Sequence, residues 1–160
     1  MKPISRKGIK KYFLEVLNKD SVVRVINECG KQRNTKMYKD FMPEIIIDNT
    51  IKGFRTQVAG FTVGVSQVHI AQWILADESE AKGVVRHEVA HVVQHYQEEI
   101  GRPHGKEFTK ALKLVSPKTW RKDKYWHDNS FIVKAREECE ANPNKIHLTY
   151  YTYSNGGSLG

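Results

Sequence analysis

Cysteine is scarce in this chain: 160 residues include two, Cys29 and Cys139. They are far apart and lack ligand-pair spacing, so they form neither a disulfide framework nor half of a structural metal site. Their number fits a reducing compartment. No apolar run is long enough for a membrane-spanning helix, so no membrane partner is expected. The basic stretch Met1 to Lys11 lacks the apolar core of a secretory leader, which predicts a cytoplasmic protein. Internal repeats and a clear domain linker are also missing. A chain of this length then reads as one domain with a real core, and as a monomer.

What the chain does have is histidine in a pattern. Val85-Arg86-His87-Glu88-Val89-Ala90-His91 contains H-E-x-x-H. At that spacing two imidazoles stack on one helical face and can converge on one divalent metal, with the glutamate beside the coordination position left to water. The surroundings support a helix. Asp77 can cap it, with Glu80 placed for a near capping box. Val85, Val89, Val92 and Tyr96 recur at helical spacing as a buried stripe. Gly101 and Pro103 stop the helix. A solvated helix could carry the same three residues by chance, but these would then not sit so far from both ends.

A catalytic zinc takes three protein ligands. His95 continues the four-residue spacing but lies about 12 Å along the axis from His87, too far to share an ion. His104 is the better third ligand, because Gly101, Arg102 and Pro103 let the chain turn back and Gly105 permits a tight backbone. Glu107 is the fallback. The predicted set is one zinc on His87, His91 and His104, with Glu88 as general base.

His87-Glu88-x-x-His91 followed by His104-Gly105-x-x-Phe108 resembles the SprT-like (Spartan) metallopeptidases. The stretch Gly60 to Ile70 resembles the strand that runs beside the active-site cleft in that family. The likeness covers about residues 40 to 115. It implies a small gluzincin-like fold, zinc-dependent proteolysis with the later histidine as last ligand, and cleavage of proteins crosslinked to DNA with stimulation by DNA. Many members carry a zinc ribbon after the protease core. Thr149 to Gly157 resembles the opening strand of such a ribbon, yet no C-x-x-C pair follows, so a second, structural zinc is not expected.

The net charge of +8 is unevenly spread. Residues 1–40 hold 11 Lys/Arg against 4 Asp/Glu, and residues 101–126 hold 8 against 2, while 41–100 hold 4 against 8. Two basic blocks flanking an acidic segment favour a polyanionic partner. In one block Trp120, Arg121, Lys122, Lys124, Tyr125 and Trp126 interleave cations with rings. Exposed, they could stack bases of single-stranded DNA while neutralising phosphates. Alternatively, Trp120 and Trp126 anchor the core, and the sequence weighs the two evenly.

Periodicity predicts helices over 5–18, from Asp20 or Ser21 to near Gly30, through H-E-x-x-H, from His104 to Val115, and from Ser130 to Ala141. Strands are predicted within Pro43–Ile51, once or twice within Phe54–Ile74, and over Ile146–Tyr153. The result is an α+β layout, a helical core with the active-site helix packed on a short sheet. Residues 1–145 form the core, and 146–160 a strand and flexible tail.

These features predict peptide hydrolysis of a protein substrate. The strand around Gly64 to Ile70 would pair with an extended substrate by edge addition, and His127 or a nearby tyrosine would assist the oxyanion. If the activity is tied to DNA, the protein belongs at the nucleoid or in the nucleus. Two other readings compete. One is a cytosolic peptidase cleaving a specific regulatory protein without DNA. The other is a non-catalytic DNA-binding module with structural zinc, which would want a fourth ligand and have no use for Glu88.

Overall fold

A computed structural model of the chain describes residues 2–32, 43–49, 51, 58–97 and 101–142. Among these residues the architecture is α+β, with six α-helices, one 3-10 helix and a three-stranded sheet. Helix α1, Arg6–Leu17, starts where the Ser5 hydroxyl accepts from the Gly8 N–H, and buries Ile9, Phe13, Val16 and Leu17. Helix α2 spans Asp20–Gln32. At its start Lys19 and Ser21 donate to the carbonyls of Val115 and Leu114, each at 2.8 Å. They thereby satisfy last-turn acceptors of a distant helix, α4, Lys106–Val115.

Strands β1 (Glu44–Asp48), β2 (Gly60–Val63) and β3 (Gln67–Ala71) lie in the order β1-β3-β2. β1 runs parallel to β3, and β2 antiparallel to it. Gly64, at φ +52°, takes the left-handed turn that joins the hairpin, where a side chain would be strained. Val68 and Ile70 are buried against the helices, while Phe61 and Val63 face outward. The central place belongs to β3. The expectation that residues 64–70 offer a free edge is therefore corrected: β3 is flanked on both sides, and β1 and β2 are the edges among the described residues.

The strands expected within Phe54–Ile74 are β2 and β3, and the end of that window enters a 3-10 helix, Gln72–Ala76. Gln72, Trp73, Ile74 and Leu75 are all buried, which no half-exposed strand could achieve. Helix α6, Ser130–Ala141, packs on this segment, and its predicted bounds hold. Asn129 starts α6 by accepting from the N–H groups of Phe131 and Ile132.

Helix α3, Glu78–Gln97, is the spine of the fold and touches α1, α2, α4, β2, β3, the 3-10 helix and the short α5, Trp120–Asp123. Asp77 caps it as expected, accepting from Ser79 and Glu80. Glu80, however, reaches across to the His127 N–H at 3.1 Å. Val85, Val89, Val92 and Tyr96 are buried as the periodicity requires. The predicted strand over 146–153, the tail and the boundary at 145 lie outside the described residues. No helix among the described residues is long and apolar enough to cross a membrane.

Candidate metal centre

His87 and His91 face the same way from the middle of α3, one turn apart, with ring centroids 5.0 Å from each other. His104 reaches them from the turn before α4. Its Nε2 lies 3.1 Å from His87 Nε2 and 3.3 Å from His91 Nε2. The turn is tight. Gly101 has φ +44°, and His104 itself has φ +57°, a left-handed conformation uncommon for a residue with a Cβ. Phe108, buried in the first turns of α4, packs against all three imidazoles.

The donor set fits a metal. His87 Nδ1 faces the Asp123 carbonyl oxygen at 2.8 Å, and His91 Nδ1 faces Gln94 Oε1 at 2.9 Å. Both partners are acceptors, so each ring carries its proton on Nδ1 and presents a bare Nε2 lone pair. One proton on His104 Nε2 cannot satisfy both. Lone pairs from three rings, meeting within 4.8 Å, suit a cation. Burial, reinforced by mutual repulsion, also keeps the rings neutral. It pushes His87 down to about 4, with His104 adding to the effect, and His91 down to about 3, with His87 adding. His104 is lowered too, by burial and by Lys124.

Glu88 is buried beside this trio, and burial raises its carboxyl to about 7 against the opposing pull of Thr62. The Thr62 hydroxyl sits 2.7 Å from Glu88 Oε2 and 3.1 Å from the Glu88 carbonyl oxygen. It can therefore donate to the ionised carboxylate, or to the carbonyl while accepting from the protonated acid. β2 comes this close because residue 60 is glycine. A Cβ there would meet the His69 carbonyl oxygen at 2.7 Å and Glu88 Cγ at 3.3 Å.

The trio and Glu88 line a cleft of about 380 Å³ between β2 on one side and residues 122–126 on the other. His95 lines it further along α3, outside the trio, as its distance required. Glu107 does not join the trio, and its carboxylate lies over Gly101. Tyr125 is exposed and lines the cleft with its ring 6.1 Å from His104, whereas His127 is not part of the lining. Lys122 and Lys124 are on the rim. Trp126 stands edge-on to the buried Trp73, and Arg136 covers both rings. Trp120 is flanked by Lys113 and Arg121, each within 5 Å of its ring. What the sequence did not reveal is Asp123. Its side chain is buried in a fork with Arg86, and its carbonyl faces His87. An acceptor on the backbone leaves no residue-type signal.

Comparison with protein-family models matches residues 26–119 to the SprT-like family. No curated protein and no solved structure gives a match. The matched segment runs from α2 through the H-E-x-x-H helix to just past α4, and it includes the three histidines that meet at the cleft. On that match, over more than half its length, the chain belongs to the SprT-like family, whose members have a metallopeptidase-type, zinc-associated domain.

Proposed function

We propose that this protein is a zinc-dependent endopeptidase holding one zinc on His87, His91 and His104, with Glu88 as its general base, and that it acts on DNA-bound or DNA-crosslinked proteins. The observation that carries the peptidase reading is the convergence of three imidazole Nε2 atoms next to a buried carboxylate in an open cleft. No fourth His, Cys, Asp or Glu joins the trio among the described residues, which speaks against a closed structural site.

When bound, zinc supplies Lewis acidity, polarising a peptide carbonyl and lowering the pKa of water towards neutrality. The protein's own residues do the rest. Thr62 holds Glu88 Oε2, so that Oε1 is left to take a proton from the attacking water and return it to the leaving amine. Burial favours the protonated Glu88 that returns the proton, while the Thr62 hydroxyl and a bound cation would favour the carboxylate that takes it. The free edge of β2 offers its backbone to an extended peptide, which makes cleavage tolerant of sequence. Tyr125, which lines the opposite wall, would donate to the developing oxyanion.

The nucleic-acid part rests on Lys122, Lys124 and Tyr125, which line the cleft, and on the exposed Arg121 next to them in the chain, which together would bring single-stranded DNA beside the substrate. One observation favours a second reading, a cytoplasmic peptidase cutting a specific protein without DNA. Trp126 is engaged with Trp73 and Arg136, and Trp120 lies between two cations of its own chain, so neither ring is simply open to a base. Anisotropy with single-stranded DNA across a salt series separates the two. A DNA-linked enzyme binds with a steep salt slope, and the other does not bind. We assign the protein to the cytoplasm as a monomer, at the nucleoid or in the nucleus on the DNA-linked reading. The peptidase reading is tested by Glu88→Gln: zinc content stays at the wild-type level and cleavage of a protein substrate is lost. Equal cleavage by the two proteins would defeat it.

A further inference from the structure

Asp123 touches α3 twice. Its carboxylate, almost wholly buried, receives a two-pronged bond from Arg86: Nε to Oδ2 at 2.6 Å and Nη2 to Oδ1 at 2.8 Å. The Thr119 hydroxyl adds a third bond to Oδ2 at 2.8 Å, and the remaining Arg86 nitrogen, Nη1, donates to Tyr12 on α1 at 2.7 Å. The carbonyl of the same Asp123 accepts from His87 Nδ1 at 2.8 Å. Gly83 completes the fit, because a Cβ there would come within 3.2 Å of Asp123 Oδ1. Positions 83, 86 and 87 share a side of α3, so one helical face carries the room, the tether and the ligand.

The chemistry explains why a charged pair is worth burying here. Taking a carboxylate and a guanidinium out of water is costly, and such pairs are better understood as fixing geometry than as adding stability. Burial alone would raise the Asp123 carboxyl, but the Arg86 and Thr119 bonds overcome it and hold the group ionised. Helix α5 has four residues, too few to hold its shape unaided. The fork is the buried side-chain tie from α5 to α3, whereas the bond from Lys122 Nζ to Ser79 Oγ, at 3.1 Å, lies exposed.

We propose that Asp123, clamped by Arg86, is the positioning residue for the first metal ligand: the buried fork fixes the Asp123 carbonyl, which holds His87 in the Nδ1–H tautomer and aims its Nε2 into the metal site. Arg86 and Asp123 therefore act on metal affinity and ligand geometry without touching metal or substrate. The inference rests on the reading of His87 as a ligand.

The test loads purified wild type, Asp123→Asn, Arg86→Lys and Thr119→Val with Co(II) and Zn(II). It measures Zn(II) affinity by chelator competition and the Co(II) visible spectrum, with circular dichroism to confirm folding. Asp123→Asn is expected to weaken Zn(II) binding by about 10–100-fold and to shift the Co(II) bands, as loss of an outer partner does. Arg86→Lys, which keeps the charge but breaks the fork, should weaken it by about tenfold, and Thr119→Val by less. Should Asp123→Asn fail to fold, Arg86→Lys and Thr119→Val decide the matter. Folded variants with wild-type affinity and an unchanged Co(II) spectrum overturn the positioning role and leave the metal site standing. A wild-type chain that binds no metal, or binds it equally well as His91→Ala, defeats the metal reading and this inference with it.

Discussion

Two of the three converging histidines ride on a helix and one on a turn, and they reach the same point by different means. His87 and His91 need no unusual backbone. Their place follows from the pitch of α3, the burial of Val85, Val89 and Val92 beneath them, and an acceptor at each Nδ1. His104 depends on a left-handed residue, on Gly101 before it and on Phe108 after it. The helical pair is set by packing that would persist without any ion. The turn is set by local strain that the surroundings must hold. A trio made this way has a rigid floor and an adjustable side.

Removing histidines from the two sides is the harshest trial of that contrast. His91→Ala leaves donors on two different elements, whereas His104→Ala leaves both on one stiff helix. The expectation is a loss of about 3 kcal/mol or more of zinc binding for His91→Ala, on the scale of shared ligand energies, with a smaller loss for His104→Ala. Isothermal titration would show the order, and the reverse order would mean that the turn, not the helix, organises the site. In activity, Glu88→Gln should cost about 10²–10⁴-fold in kcat, the usual worth of a general base, with zinc retained.

The wall opposite the turn can be challenged through backbone. Gly60→Ala puts a methyl group 2.7 Å from the His69 carbonyl oxygen, so β2 must shift away from β3 or from Glu88. A loss of about 1–3 kcal/mol in unfolding free energy is expected, the usual range for overpacking, with peptidase activity falling further than stability. Urea denaturation alongside a cleavage assay measures both.

Acid–base behaviour of the helix side gives a similar-sized effect. In metal-free protein the Glu88 carboxyl is raised to about 7 by burial. A raised acid contributes stability that is present at low pH and lost as pH climbs through its folded value. Glu88→Gln removes this dependence. The metal-free variant should therefore gain on the wild type between about pH 4.5 and 7, by on the order of 3 kcal/mol at the upper end. Urea melts at pH 5 and pH 8 with chelator present test it, and a gap independent of pH would contradict the burial of that acid. The smallest effect is expected at Thr62. Thr62→Val removes the bond that favours the ionised carboxylate, so the acid limb of the activity profile should move to higher pH, and Thr62→Ser should restore it.

The same contrast marks what could be read in advance. Helix α3, its Asp77 cap and the bounds of α6 were legible because apolar spacing and capping residues act within a few positions. His104 was legible as a ligand candidate because glycine and proline around it force a return. Strand order was not legible, since nothing in residues 64–70 says that both flanks are taken by β1 and β2. The 3-10 helix Gln72–Ala76 was not legible, because large apolar residues bury equally well in a strand or a 3-10 helix. Glu80 looked like half of a capping box, but its partner lies 47 residues away at His127. Trp120 and Trp126 were balanced between base stacking and packing, and no local pattern could show that Trp73 waits beneath the second.

Tyr12 and Asp123 grip Arg86 from opposite directions, and both stand outside the segment that the family shares, residues 26–119. A fragment trimmed to those limits would keep His87, His91, His104 and Glu88 while discarding both partners of Arg86. The match to the family spans the three histidines, while the residues proposed to aim one of them lie in the flanks on either side of it.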